Sequence, residues 1–580
     1  MHRLRGKYQK KLMPQKFYFM LLGGSLTMVM VSVMLMSDSI IAGAILGSNA
    51  IAGITLVTPM YSLAAFFASI FSLGVPIIYA IEMGKFRKHK ADQAFGFGLL
   101  MCIVVGVLLF FLSTFFGDLY LRSSNPSEAV LKEARDYLFW IRFTILLIPL
   151  QMLINSMVYS DGDEMLSTGA TAVQGIGNIC ASVILGYLMG IRGIGLASFL
   201  FNVISLAIML AHFSKKNNSL KLNLYFSMEL AKSVVNYSII DSSSYLFIAI
   251  LISTLNTFVS TRFGAQFLPI VSIVTLCREL QMVFDGIGEA LKSIMSVYVG
   301  EGCGEGVKAI YKIAKKTAIV EGFVVMIALI VCGQWVPMVL NIENPVVSQY
   351  AVTGIRILSL GSIFVSLLYL LSSYYLLIKK IMLGLLVSLF RDVFLSVLLS
   401  LGLGSAFGPI GMFVGLAIAP AVAYVLLLLY LTERYGRKDT PLLISTLSFH
   451  EKNYLFDLET EPEQIIGLQK KVEALLIEND VDQKTVNRIK LLIEDLYMLI
   501  REKNGGKAIL SECSVTLFSE GIRIVSRDEG ALFDISEDDV KADSVVSLVF
   551  SGYMENMVEN RQYLTTTSFN RSAFLIKPYT

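Results

Sequence analysis

The chain has 580 residues, of which 55% are hydrophobic and only 16% charged, against about 25% charged in soluble domains. That balance excludes an ordinary soluble globular protein and leaves a membrane protein. A formal net charge of +3 gives no footing for nucleic acid, and six cysteines and four histidines, scattered without CxxC or ligand spacing, read as free thiols and dispersed imidazoles rather than a metal site. The charge is uneven. The stretch from Glu451 to Thr580 is rich in Asp, Glu, Lys and Arg and the rest is sparse, so a membrane body is followed by a soluble tail.

The N-terminus is basic (Arg3, Arg5, Lys7, Lys10, Lys11, Lys16) and leads into an apolar run too long for a signal peptide, read as an uncleaved first span. Runs long enough to cross a bilayer, which takes about 20 residues, recur at roughly 17–45, 50–81, 94–117, 136–159, 165–188, 193–213, 235–261, 266–298, 317–341, 347–378, 381–404 and 408–432. One carboxylate, Asp38, interrupts the first. An acid at that depth costs on the order of a few kcal/mol and usually faces a bundle interior or a watery cavity on an ion or substrate path.

Loop charge orients the spans. Lys85, Arg87, Lys88 and Lys90, then Lys215, Lys216 and Lys221, then Lys308, Lys312, Lys315 and Lys316, then Lys379 and Lys380, and finally Arg434, Arg437 and Lys438 fall on one side, and few cations fall on the other. By the positive-inside rule both termini and the tail are expected in the cytoplasm of a cell with this protein in its plasma membrane. The spans also repeat as two sixes. The segment around Asp38 parallels the one around Asn256, the loop from Ile81 parallels that from Val297, DYLFWIR ending at Arg142 parallels QYAVTGIR ending at Arg356, and GIRGIGLA from Gly190 parallels FGPIGMFVGLA from Phe407. Each half starts and ends on the same side, so the repeats are parallel, and transporters so built place substrate between their halves.

The expected fold class is therefore an all-α polytopic membrane protein of twelve transmembrane helices in two six-helix parallel repeats, with a small cytoplasmic α/β sandwich domain. The expected divisions are 1–213 and 235–433 for the lobes, 214–234 and 434–444 for linkers, and 445–580 for the tail.

Ser37-Asp38-Ser39-Ile40-Ile41-Ala42-Gly43 with Gly47 and Ala50-Ile51-Ala52, then Gly74, Glu82-Met83-Gly84-Lys85 and Ala94, then Ser160-Asp161-Gly162-Asp163, Asn178 and Gly190 to Ala197 occur in an order that resembles the multidrug and toxic compound extrusion (MATE) transporters. The resemblance covers about residues 15–433. It implies that Asp38 matches the family's first-span acid, which contributes to cation coupling, with Asn178 and the repeat mate Asn256 as further coupling positions. An amide has no proton to exchange, so only one lobe would carry the switch. The alternative reading of Asp38 is an acid merely satisfied by Ser37, Ser39 or a backbone donor. The tenth span lacks the acid some members carry there.

Other intramembrane charges are open to two readings. Arg278, Asp285 and Glu289, with Lys292, follow at helical neighbour spacing and form either cavity-lining polar residues or an internally paired stripe. Arg391 and Asp392 are adjacent and would not face each other on a regular helix. Glu321 is expected to snorkel from an inner end. No cofactor is expected beyond H⁺ or Na⁺ as coupling ion.

In the tail, EPEQIIGLQKKVEALLIEND and TVNRIKLLIEDLYMLIREKN read as helices, and SVTLF, IRIVSR and SAFLIK as strands. Glu494 on the second helix and Asp528-Glu529-Gly530 after the second strand resemble the helix acid and the D-x-G turn of the histidine-kinase-like ATPase domain of anti-sigma-factor kinases. Met498 stands where that family carries its Mg²⁺-binding asparagine, and the glycine-rich lid is reduced to Ser551-Gly552. Glu494, Asp528 and Gly530 are thus the only nucleotide-binding candidates of a degenerate domain, expected to bind ATP weakly or not at all and to serve as a sensor or docking module.

The implied function is a cation-coupled antiporter, a secondary transporter and not an enzyme, that exports organic cations or other small amphipathic molecules. Its partners would be a small-molecule substrate, the lipid bilayer and a cytoplasmic regulatory protein at the tail. The alternatives are a flippase of a lipid-linked precursor, to which cationic cavities with Arg142, Arg356, Arg278 or Arg391 would point, and a transporter-like sensor signalling through the tail.

Overall fold

The computed structural model describes residues 11–123, 128–215, 218–264, 267, 269–335, 337, 345–447, 452–518, 521–533, 535, 557–564 and 569–577. The first lobe consists of α1 (Leu12–Leu46), α2 (Ser48–Gly84), α3 (Lys88–Phe115), a short α4 (Gly117–Ser123), α5 (Glu128–Ser160), α6 (Glu164–Met189) and α7 (Ile191–Leu210). The second holds α8 (Met228–Arg262), α9 (Pro269–Gln281), α10 (Asp285–Glu301), α11 (Gly304–Cys332), α12 (Pro345–Ser359), α13 (Ser362–Leu377), α14 (Ile381–Leu389) and α15 (Leu395–Tyr435).

These helices are apolar nearly all round, as membrane helices are. Leu188 and Tyr187 are each 74% exposed on α6, and Phe115 72% on α3, an outward surface that only a hydrocarbon solvent satisfies without cost.

Among the described residues seven helices are long and apolar enough to span a membrane, or eight if α12 and α13, bent by 49°, form one span. Part of the difference from the twelve expected has two visible reasons. The run read as one span over 266–298 is cut by a 3₁₀ turn at Met282–Phe284, leaving pieces of 13 and 17 residues. Conversely, Ile381–Tyr435 counts once although Gly408 breaks it at φ 68°, where the sequence places a gap before Pro409. The left-handed φ needs glycine there.

Helices also start earlier than hydropathy suggests: α11 begins at Gly304 and α8 at Met228. Their first turns carry Glu305 and Glu229.

The chain between the lobes is stapled to the first lobe. His212 lies 2.8 Å from both Asp161 Oδ2 and Asp163 Oδ2, and Asp161 Oδ2 also accepts from the Ser219 amide at 3.1 Å. The chain leaving α15 is held by α13, where the Tyr374 and Tyr375 hydroxyls donate to the Leu442 and Pro441 carbonyls at 2.6 and 3.0 Å.

The tail has five strands, β1 (Asn453–Glu459), β2 (Leu510–Phe518), β3 (Gly521–Asp528), β4 (Met557–Leu564) and β5 (Phe569–Ile576), and two helices, α16 (Pro462–Glu478) and α17 (Gln483–Lys503). The sheet order is β1-β2-β3-β5-β4, with every pair antiparallel. Asp482 caps α17, accepting from the Thr485 amide at 2.9 Å. Leu468, Val472, Leu496 and Ile500 of the helices pack on Val515, Ile524 and Phe574 of the sheet. β1 and β4 go beyond the strands read from sequence, and β2 starts four residues early because its first half carries polar residues, Ser511 and Glu512, that are nevertheless buried. The lid remnant Ser551-Gly552 lies outside the described residues.

Candidate functional site

Asp38 sits in the far half of α1, and three helices of the first lobe converge on it. Tyr137 of α5 donates its hydroxyl to Oδ2 at 2.9 Å and Ser198 of α7 donates to the same oxygen at 2.8 Å. On α6, the Asn178 amide is 3.4 Å and the Ser182 hydroxyl 3.5 Å from Oδ1. A hydroxyl has one proton to give. Ser182 gives its own to Asn178 Oδ1, at the shorter 3.0 Å, and Ser198 gives its own to Asp38. The carboxylate is thus held by Tyr137, Ser198 and Asn178, with Ser182 fixing the amide so that its NH₂ faces the acid.

Asn178 was legible beforehand through the resemblance. Ser182 could have been found from the same helix, four residues on and so on the same face. Tyr137 and Ser198 had no sequence signal of their own. Asn256, the repeat mate, lies outside the residues whose side chains are described.

Tyr61 links this acid to a cavity. It lies within electrostatic reach of Asp38 and lines a chamber of about 260 Å³ between the lobes. The first-lobe wall is neutral and polar. Gln151 donates to Gln174 and Asn155 to Thr171, both at 3.0 Å. The second-lobe wall carries Ser244, Tyr369, Asp285, Glu289 and Lys292. Glu289 accepts from Lys292 at 3.1 Å, and the formal charges of Asp285, Glu289 and Lys292 in the lining sum to one negative charge among the described residues.

The structure divides the polar residues of the second lobe differently from their spacing. Asp285 and Glu289 line the cavity, but the 3₁₀ turn breaks the helical register between Arg278 and Asp285. Arg278 turns instead to Asp392, 3.2 Å away. Asp392 also accepts Nε and Nη2 of Arg391 at 2.9 and 2.6 Å. These neighbours pair within a π-turn, Phe390–Phe394, rather than on a regular α-helix. The Arg391 guanidinium stacks 3.6 Å over Tyr369, directly behind the cavity wall.

Glu321 does not snorkel. Its carboxylate accepts from Ser25 of α1 at 3.2 Å. Arg142 donates to the carbonyl of Leu138, 3.5 Å away on its own helix, and Arg356 is exposed; neither lines the cavity.

In the tail, Asp528 and Gly530 come together in the turn after β3. Asp528 Oδ1 accepts from the Gly530 amide at 2.9 Å and from Asn570 Nδ2 at 3.2 Å. Glu494 is elsewhere, on the exposed side of α17, accepting from Gln469 of α16 at 2.8 Å. Among the described residues no group of acids, cysteines and histidines could hold a metal ion.

Comparison with known proteins supplies the family context. Residues 25–188 match the MatE family model, and no curated protein matches the chain in sequence. Among solved structures, a MOP superfamily transporter from Pyrococcus furiosus Vc1 (DSM3638), described as having a binding pocket of reverse polarity, superposes with a TM-score of 0.67 at 19% identity over 73% of this chain and 96% of its own. A multidrug resistance MATE family transporter of the MOP superfamily in an outward-facing conformation gives 0.68 at 20% identity over 75% and 96%. A MATE protein in complex with MaL6 gives 0.68 at 19% over 75% and 97%.

Proposed function

We propose, from the premise that this chain carries a MATE-family domain on a multi-pass helical body of the MATE fold, that it is a cation-coupled antiporter. It exports organic cations or other small amphipathic molecules by alternating access, driven by H⁺ or Na⁺, and its tail is regulatory. In this reading the body crosses the plasma membrane twelve times, in two parallel repeats over 1–213 and 235–433, with both termini cytoplasmic.

The observation that carries the reading is the Asp38 nest beside the inter-lobe cavity. An acid held by Tyr137, Ser198 and Asn178 has lone pairs that a cation can claim, and claiming them loosens the ties between α1 and the rest of its lobe. Tyr61 belongs to both the surroundings of the acid and the cavity wall, so ion and substrate sites adjoin. A ligand moves a two-state equilibrium only by its differential affinity for the two states, and an acid tied to three helices offers that difference.

The cavity's single net negative charge, from Asp285, Glu289 and Lys292, suits a cationic substrate. The lipid-linked precursor reading would want a cationic cavity and finds no support in this lining.

The test is substrate efflux from proteoliposomes driven by an imposed H⁺ or Na⁺ gradient. Gradient-dependent efflux is expected of the unmodified chain, and Asp38→Asn should abolish the gradient dependence while leaving the protein folded. Equal efflux by both proteins would remove Asp38 from coupling.

A further inference from the structure

The lobes are shut against each other at one end, the end bearing the basic loops. A Cβ on Gly84, the last residue of α2, would stand 2.6 Å from the Val297 carbonyl, and one on Gly300 near the end of α10 would stand 2.5 Å from the Ile81 carbonyl. The two helix backbones touch, and only glycine permits it. Just beyond this seam lies the helix-free face of the tail's sheet.

Four residues stand side by side on that face, one from each of four neighbouring strands: Asp457 opposite Glu512, Glu512 opposite Arg527, and Arg527 opposite Arg571. All four point at the body. Asp457 pairs with Lys11 at the start of α1, 2.8 Å away. Glu512 accepts the Tyr298 hydroxyl of α10 at 2.7 Å and Arg527 Nη1 at 2.7 Å. Arg527 also pairs with Glu301, the last residue of α10. Arg571 reaches both lobes. Its Nη2 donates to the Met83 carbonyl of α2 at 3.1 Å, its Nη1 lies 3.5 Å from Glu301 Oε1, and its guanidinium stacks 3.8 Å over Phe86 in the α2–α3 turn.

The side chains of Arg527, Arg571, Glu301 and Glu512 are each at most 3% exposed. A hydrogen-bonded charge row of this kind, out of water, resists removal of any one member far more than a surface ion pair does. Apolar packing continues across the junction, with Leu510 and Phe569 of the tail in the same cluster as Val297, Tyr298 and Met83.

We propose that the tail is a clamp. The helix-free face of its sheet bridges both lobes across their closed end, and that end opens only when the face releases one lobe. The clamp follows from the sheet being one hydrogen-bonded piece: Arg571 and Asp457 hold the first lobe while Arg571, Arg527 and Glu512 hold the second, so parting the lobes must break one set. The proposal rests on the alternating-access reading, which makes that parting part of the cycle, and it identifies what the tail regulates.

The experiment is pulsed electron spin resonance distance measurement on the full chain in lipid nanodiscs. Spin labels are placed at Lys90→Cys on α3 and Lys308→Cys on α11, both exposed, after the exposed Cys180 and Cys332 are changed to Ser. Arg571→Gln weakens the clamp from the tail side and Glu301→Gln from the body side, so one remains informative if the other fails to fold. Each is expected to raise the ratio of long to short inter-lobe distances at least tenfold over the parent. Unchanged distances in both folded variants would overturn the clamp. The two readings fail differently: efflux by the parent with unchanged distances removes the clamp alone, and absent efflux by the parent removes both.

Discussion

Tyr137→Phe tests the proposed ion site more sharply than removing Asp38 itself. The substitution deletes one hydroxyl and no carbon, on a ring that is 7% exposed and packed in the first-lobe core. Of the three groups holding Asp38, Tyr137 and Ser198 make the short contacts, at 2.9 and 2.8 Å on the same oxygen, while Asn178 is at 3.4 Å. A hydrogen bond to a charged group is worth about 1.5–3 kcal/mol. In the phenylalanine variant the free carboxylate loses that stabilisation, while the cation-bound form, whose lone pairs are already claimed, loses less. Since about 1.4 kcal/mol is tenfold, the coupling cation should bind roughly ten- to a hundredfold more tightly. The assay is efflux from proteoliposomes against a titrated cation concentration, where the half-saturating concentration should fall by that factor, and Ser198→Ala should move it the same way. An acid that is only structurally satisfied predicts something else: lower thermal stability with no change in cation dependence. A folded Tyr137→Phe protein with an unshifted half-saturation would refute the reasoning.

Three further outcomes follow from the packing. Gly84→Ala or Gly300→Ala drives a methyl to within 2.6 or 2.5 Å of a facing carbonyl. Each should cost about 1–3 kcal/mol, read as a lower melting temperature in detergent together with longer distances across the basic end. Arg391→Ala leaves Asp392, 1% exposed, with the 3.2 Å contact to Arg278 as its one remaining ion pair among the described residues. It should cost about 3–5 kcal/mol, read as loss of folded protein on mild heating, and the paired Arg391→Leu/Asp392→Leu should be milder. Glu512 is pushed up to about 7 by burial, with Asp457 and Glu301 pushing the same way and Arg527 and Tyr298 opposing. A carboxyl raised in the folded chain binds its proton more tightly there than in the unfolded one, so the stability it contributes is full below its ordinary range near 4.5, falls as pH rises towards about 7 and is level above it. Between pH 8 and pH 6 the folded, docked tail should gain stability, read as slower hydrogen exchange at Tyr298–Glu301. Glu512→Gln should flatten that dependence.

Asp38 stood out in the sequence because one charge in an apolar run is expensive, and the structure shows the polar nest that offsets that expense. Its partners were not legible, since a hydroxyl on a membrane helix carries no such signal; Ser198 matters only because α7 crosses α1 at the right height. Arg391 and Asp392 show the opposite failure. The residues were conspicuous, but the expectation that neighbours diverge assumes α-helical winding, and the π-turn at Phe390–Phe394 removes that assumption. The same applies to Arg278 and Asp285, whose shared face disappears once Met282–Phe284 tightens to a 3₁₀ turn. In the tail, nothing in the sequence singled out Glu512, Arg527 and Arg571. They are among its most buried side chains, because that face is covered by another part of the same chain, which periodicity within one strand cannot report.

The two ends of α1 connect these findings. The helix starts at Leu12, beside Lys11 and its contact to Asp457 of the tail, and reaches Asp38 in its far half, with Gly24 and Ser25 against Gly286 of α10 between them. Neutralising Asp38 converts three charge-assisted hydrogen bonds into ordinary ones, a loss of about 1 kcal/mol each and about 3 kcal/mol in all. On the coupling and clamp readings, that loss would be felt by a helix whose other end is tied to the sheet through Lys11 and Asp457, so cation binding at Asp38 and release of the tail would act on the same rigid element.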